Sequence, residues 1–290
     1  MIMIMSDNNI PQSKIHYGEI LFVGPCNLKC FYCLGHEMHK SVYESNLMRL
    51  HFSEWKNFES WLEELREHNA PVVYLSSTNS EPLLYPYMAE LIRYLQGWGF
   101  KVGIRTNGSL DTTVCNLCDE EISLSLQSFN PDTFKKITGV PLTFDFLANL
   151  RKIKSSNVRV SIVVNRYNKD EIFDMLDELT KFKLAYVQLR QRYLYYWEDP
   201  SIEEDQDAIN EIGGKLYENY KILGRYKKET LDYDYKGMKV SLWWTVFSKK
   251  AIVSSNYWTN GKITHNNLLV EGYEECRQIP FTSNTTKKND

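Results

Sequence analysis

Ile20-Leu21-Phe22-Val23 runs directly into Gly24-Pro25-Cys26-Asn27-Leu28-Lys29-Cys30-Phe31-Tyr32-Cys33. The first four residues suit a buried strand, and the loop behind them carries three cysteines spaced C-x3-C-x2-C. A 4Fe-4S cluster normally takes four cysteines, so a three-cysteine loop leaves one iron without a protein ligand. An open position is where a substrate or cofactor is activated, by the logic that separates a catalytic zinc site from a closed structural one. Cys26, Cys30 and Cys33 are therefore the candidate metal ligands.

Blander readings of the loop exist. His36, in Cys33-Leu34-Gly35-His36, completes a Cys3His zinc set at finger-like spacing. Zinc modules usually pair two such knuckles, and none flanks this loop. A disulfide framework fits poorly, because 6 Cys in 290 residues come with no apolar leader or small-residue cleavage site. Unpaired buried thiols are common in cytosolic proteins, yet three in one short loop is an odd coincidence.

A chain of 290 residues, 43 % hydrophobic and 24 % charged, is long enough to bury one large α/β core. Its net charge of -3 and lack of a Lys/Arg block do not indicate nucleic-acid binding. No apolar stretch approaches the roughly 20 residues needed to span a bilayer. A soluble, cytoplasmic protein is expected, with reduced thiols.

Strand and helix signals then alternate. Strands are predicted over 19–23, 72–76, 101–105, 122–126, 159–164 and 186–189. Helical stripes lie between them: Trp55, Phe58, Trp61, Leu62 and Leu65, with Ser53 placed to cap; Met88, Leu91, Ile92 and Leu95 behind Pro86; Ile172, Met175, Leu176 and Leu179; Ile209, Ile212, Leu216 and Tyr220. Repeated βα units curl into a barrel or a doubly wound sheet, and six make a partial barrel. Beyond Tyr220 the rhythm becomes β-rich, with short strands predicted over 239–247, 250–255 and 263–270 and a turn at Asn260-Gly261. The expected organisation is a loose 1–14 segment, a 15–221 barrel, a 222–281 β-meander extension against its open side, and a loose 282–290 tail.

The cysteine spacing, with an aromatic directly before the third cysteine, resembles the signature loop of the radical S-adenosylmethionine (radical SAM) superfamily. That family is built on a partial (β/α)6 barrel of the TIM type, in agreement with the strand count. The resemblance implies that Cys26, Cys30 and Cys33 hold a 4Fe-4S cluster whose fourth iron is chelated by the amino and carboxylate groups of SAM. Tyr32 is then expected against adenine. After the second strand, Asn79-Ser80-Glu81-Pro82 resembles the family's Gly-Gly-Glu-Pro segment, which binds the methionyl amino group; Asn79 and Ser80 replace the glycines. Thr106 and Asn107, before Gly108, are similar to a Thr-Asn-Gly turn of the family. Ser125 on the fourth strand, with Gln127 on the same face, matches a SAM-facing serine. Asn165 ends the fifth strand near the expected ribose, and Arg190 ends the sixth, where a guanidinium suits a carboxylate or phosphate.

In that mechanism a one-electron donor such as flavodoxin or ferredoxin reduces the cluster, SAM is cleaved, and a 5′-deoxyadenosyl radical takes hydrogen from the substrate. Cys115 and Cys118 form a second C-x2-C, too few for a cluster and suited to a buried helical face. Cys276 is either a hydrogen-atom donor or a bystander. The chain lacks the cysteines of the SPASM extension. His36, Glu37, His39, Arg192 and Tyr193 lie near the expected substrate mouth; Trp243, Trp244, Tyr257 and Trp258 form either core or a stacking wall. The expected substrate is a small polar metabolite such as a nucleotide or nucleotide sugar. A peptide substrate and a non-catalytic zinc-binding interaction protein are the alternatives.

Overall fold

Alternation along each strand sets which residues face the helices and which face the barrel interior. The computed structural model describes residues 15–24, 26–33, 47–77, 80–192, 201–226, 230–244 and 254–265. Six parallel strands stand side by side: β1 (Tyr17–Phe22), β2 (Val72–Ser77), β3 (Lys101–Thr106), β4 (Ile122–Ser125), β5 (Val158–Val164) and β6 (Tyr186–Gln191). Each falls within two residues of its predicted start. Ile20, Phe22, Val73, Leu75, Val102, Ile104, Ile122, Leu124, Val160, Ile162, Val187 and Leu189 are buried in one core with the helix stripes. The intervening strand positions, apart from Leu21, Gly103 and Val163, carry polar side chains on the other face. This makes a partial (β/α)6 barrel with an apolar outside layer and a polar inside.

The covering helices are α1 (Phe58–Glu67), α2 (Met88–Gly97), α3 (Pro131–Thr138), α4 (Phe146–Arg151), α5 (Ile172–Leu179) and α6 (Ser201–Asn219). The stripe of α1 packs tightly on β1, since a Cβ on Gly18 would lie 2.4 Å from Leu65 and 2.9 Å from Trp61. Ser53 does not cap that helix. It lies in a short 3-10 turn, Phe52–Glu54, whose first N–H groups are met by His51, and α1 begins later behind Asn57 in the left-handed region at φ 60°. Trp55 adopts extended backbone between the two, which breaks the helical run. The short helices α3 and α4 were not foreseen, although Asn130 and Asp145 cap them with side-chain hydrogen bonds.

The β-rich part is divided between both sheet edges rather than lying against one side. β7 (Lys221–Tyr226), β8 (Thr230–Tyr235) and β9 (Met238–Trp243) form an antiparallel meander whose last strand pairs in parallel with β6. β10 (Ser254–Trp258) returns to pair in parallel with β1, and β11 (Ile263–Thr264) follows it through the Asn260-Gly261 turn. The sheet order is β11-β10-β1-β2-β3-β4-β5-β6-β9-β8-β7. Return of the chain to β1 buries Tyr257 against Trp55, Phe58 and Trp61, so this aromatic cluster is core. No described helix is long and apolar enough to cross a membrane. Predicted residues Asn79, His36, Glu37, His39, Tyr193 and Cys276, segment 1–14 and the 282–290 tail lie outside the described residues.

Gly103 of β3 stands opposite Tyr74 of β2 on the polar face, and the Tyr74 ring lies over it. A Cβ there would sit 2.6 Å from the ring and 2.8 Å from the Glu121 carbonyl. Gly103→Ala is expected to cost about 1–3 kcal/mol, read as a lower urea midpoint with an unchanged m-value.

Candidate active site

The cysteine loop follows β1 at the C-terminal end of the parallel strands, where βα loops of a barrel converge. Its backbone is fastened to the end of α3: Lys29 N–H donates to the Thr138 carbonyl at 2.8 Å and Phe31 N–H to the Ile137 carbonyl at 3.0 Å. These carbonyls lack partners within a helix end, so the loop acts as the cap. Gly139, in the left-handed region at φ 68°, turns the chain directly beneath Lys29.

Phe31, between the second and third cysteines, is held by charge. The Arg166 and Arg192 guanidinium carbons lie 4.9 and 5.0 Å from its ring centroid, and Tyr167 meets it edge-on at 5.4 Å. Two cations beside one ring require a counter-charge, which Asp205 of α6 supplies. Its buried carboxylate accepts from Arg166 Nη1 at 3.2 Å, from Arg192 Nη1 at 3.0 Å and from the Arg166 backbone N–H at 2.9 Å. The loop is thus tied to the ends of β5 and β6 and to α6.

Cys26, Cys30 and Cys33 form no disulfide among the described residues and act on one another electrostatically. Burial, followed by the other cysteines, pushes Cys30 up to about 12; burial pushes Cys26 up to about 11, against a hydrogen bond from the Leu28 N–H. Leu28 N–H lies 3.4 Å from Cys26 Sγ and Asn107 Nδ2 lies 3.8 Å from it. Such a group of thiols ionises only when a cation replaces the protons, which matches an iron-sulfur cluster. Cys115 and Cys118 lie apart from this loop on a 3-10 turn, with Cys115 fully buried, and burial raises both thiols.

Glu81 is a strut beside the loop. Fully buried, its carboxylate accepts from the Leu83 N–H at 3.1 Å, the Thr106 hydroxyl and the Asn107 N–H at 2.7 Å. It therefore joins the end of β2 to the end of β3, and Asn107 passes the connection on to Cys26 and to Asn27. Burial pushes the Glu81 carboxyl up to about 7 in spite of three donors. Ser80 is buried, with its hydroxyl on Met48 Sδ at 3.4 Å.

The remaining predicted residues separate into two groups. Ser125, half-buried on the interior face, has no side-chain partner among the described residues. Tyr32 is bonded to Gln127, and burial holds its phenol well above the usual range. Arg190 ends β6 on the same interior face and shares an electrostatic contact with Tyr32. Asn165, by contrast, is fully buried, donating to the Val163 carbonyl at 2.9 Å and accepting from the Tyr167 N–H at 3.0 Å. Its amide shapes the turn after β5 and is not directed at the interior.

Deeper in the barrel, charge is paired. Arg105 pairs with Glu19 and lies over the Tyr74 ring, while Arg159 pairs with Glu121 at 3.1 Å and donates to Ser123 at 3.1 Å. Ser161 donates to Gln188 at 3.0 Å, and Ser241 to Asp232 at 2.6 Å. These bonds pair the charged groups and close the barrel floor below the strand ends, with Arg105 Nε the one guanidinium nitrogen of this layer left unmet among the described residues.

An open α/β barrel with a three-thiol loop over its strand ends defines a cofactor-dependent enzyme. The chain belongs to the radical SAM superfamily, whose family model matches residues 20–179. Members use a 4Fe-4S cluster together with SAM, and the thiol set described above fits that cluster. Relatives are the GTP 3′,8-cyclase of Clostridium perfringens, 26 % identical over 174 residues, and a probable GTP 3′,8-cyclase of Saccharolobus islandicus, 29 % identical over 165 residues. These alignments cover 57 % and 52 % of this chain and 51 % and 49 % of the relatives, so the chain spans about half the length of the curated relatives it matches. Streptococcus suis SuiB, solved with its precursor peptide SuiA, shares the fold with a TM-score of 0.59 at 14 % identity, over 87 % of this chain and 59 % of that one.

Two outcomes test this construction. Asp205→Ala removes the carboxylate that Arg166 and Arg192 share beside Phe31, and is expected to speed iron loss to a chelator by roughly 10-fold or more, as removal of outer-shell partners does. For Glu81, the folded chain holds the proton up to about pH 7 whereas the ordinary value is 4.5. Between those values the folded state binds more protons, so stability falls as pH rises, by about 3 kcal/mol in total. Urea unfolding at pH 4.5 and 7.5 is expected to show that loss, and Glu81→Gln to lack its share.

Proposed function

We propose that the chain is a radical SAM enzyme acting on a nucleotide or a related small polar metabolite. The observation that carries the substrate class is the hydrogen-bonding interior at the strand ends, where Ser125, Gln127 and Arg190 face inward. The GTP 3′,8-cyclase relatives support the same reading.

When bound, SAM and the reduced cluster supply a 5′-deoxyadenosyl radical that removes hydrogen from a substrate carbon. The protein's own residues bind, orient and exclude water. Cys26, Cys30 and Cys33 hold iron, and Asn107 and the Leu28 N–H donate to the Cys26 sulfur, an interaction that tunes cluster potential. The backbone at Ser80 and the Thr106 to Gly108 turn, braced by Glu81, forms the SAM side of the site. Asn79 belongs to the same segment in the sequence. Ser125 offers an unengaged hydroxyl to the cofactor, and Tyr32 packs near its adenine. Asn165 acts indirectly, by fixing the turn that carries Arg166 and Tyr167 towards Phe31. A flavodoxin or ferredoxin delivers the electron.

Anaerobically reconstituted, reduced protein incubated with SAM is expected to produce 5′-deoxyadenosine, and an intact cluster without SAM cleavage would sink the reading. With a ribose-deuterated nucleoside triphosphate present, deuterium should appear in the 5′-deoxyadenosine. Label arriving from a deuterated peptide instead would move the substrate to the peptide class. Stoichiometric zinc without iron or sulfide would replace the enzyme with a metal-binding interaction protein.

A further inference from the structure

Among the described residues three arginines, Arg105, Arg159 and Arg190, line the barrel interior, and they differ in one respect. Arg105 on β3 has Glu19, and Arg159 on β5 has Glu121. Arg190, two inward-facing layers nearer the open end on β6, has no carboxylate partner and no side-chain hydrogen bond among the described residues, and its Nε is closed off from solvent without a partner there. Arg105 Nε is also unmet, but that guanidinium has its anion. The charged and ionisable groups acting on Arg190 from the described residues are the other two arginines, which repel it, and the Tyr32 phenol. A half-buried cation held among cations is costly unless an anion arrives.

We infer that Arg190 is an oxyanion subsite for the substrate, taking a phosphate or diphosphate group through its guanidinium fork. The inference deepens the function proposed above and rests on it. Alternation puts Tyr186, Gln188 and Arg190 on one face, and the first two are tied down by Glu121 and Ser161, so Arg190 is the group on that strand left for a ligand. The substrate, and not the cofactor, is indicated by position. The family model covers residues 20–179, which include the cysteine loop, Ser80, Glu81, Asn107 and Ser125. Arg190 lies beyond it, level with Trp243 of β9 and four strands away from β2 in the sheet. Arginine presents two parallel N–H donors, which suits phosphate oxygens better than a lysine point charge does.

Equilibrium dialysis of the reconstituted holoenzyme against inorganic pyrophosphate, and separately against SAM, tests the assignment. Arg190→Gln is expected to weaken pyrophosphate binding by roughly 10- to 100-fold, the range for a charge-assisted hydrogen bond, and to leave SAM binding unchanged. Arg190→Lys should restore part of the loss. Because the native cation is unpaired, Arg190→Gln without ligand should melt no lower than the parent chain, whereas a structural arginine would lower the melting temperature when removed. Equal pyrophosphate binding by parent and variant overturns the inference, as does a loss confined to SAM. 5′-Deoxyadenosine formation in the same preparations separates the two readings. A parent chain that cleaves SAM while pyrophosphate binding ignores Arg190 loses this subsite alone, and one that never cleaves SAM loses the proposed function.

Discussion

Thiols buried within reach of one another resist ionisation, and the rest of the structure is arranged around that constraint. Burial and mutual repulsion push Cys26 up to about 11 and Cys30 up to about 12, so the loop favours protonated sulfur until a metal supplies positive charge. A loop that must later wrap a cluster needs its backbone fixed beforehand, because cysteine spacing alone leaves many conformations open. Here the fixing comes from outside the loop. The end of α3 receives two of its N–H groups, and Asp205, through Arg166 and Arg192, pins Phe31. The cysteine loop is local in sequence, whereas its stiffness depends on residues up to 205.

That division explains what was legible in the sequence. The six strands were readable because each is a short β-rich run bounded by turn residues, and a period of two survives whichever partner it meets. The loop itself was readable because its spacing is chemical. Strands β7 and β8 escaped notice, since Lys221 to Tyr235 mixes charged and apolar residues without the density of a core strand. The return of β10 to β1 was invisible for a different reason: sheet-edge pairing between residues more than 230 apart leaves no local trace. Ser53 looked like a helix cap, but Trp55 gains more by extending into the aromatic cluster around Tyr85 and Tyr257 than by continuing a helix.

For the candidate site the limit lies between naming a residue and knowing its work. Glu81, Thr106 and Asn107 were flagged through resemblance as cofactor neighbours, and they do gather beside Cys26. The Glu81 carboxylate, however, is taken up by the Thr106 hydroxyl and the Leu83 and Asn107 backbone N–H groups, so the acidic residue braces two strand ends. Asn165 carries the same lesson further, since both ends of its amide are engaged by the backbone of its own turn. Residue type and strand-end position were correct clues to location. Orientation depends on which neighbour provides a donor at about 3 Å, and the neighbours come from other strands.

Folding rules are obeyed almost everywhere in this barrel, which gives meaning to the places where they are not. Arg105 and Arg159 show how the chain accommodates charge in its interior: a carboxylate, a ring face or a hydroxyl is placed beside each. The thiols, Glu81 and Arg190 depart from that pattern, and all of them lie at the open end of the strands. Desolvated groups there raise the free energy of the empty chain and lower it again when their partners bind. A cation supplied to the sulfurs and an anion supplied to Arg190 relieve opposite imbalances on two sides of one interior. The same sheet that isolates the sulfurs thus keeps a guanidinium poorly solvated, and ligand binding at either place draws on energy already stored in the fold.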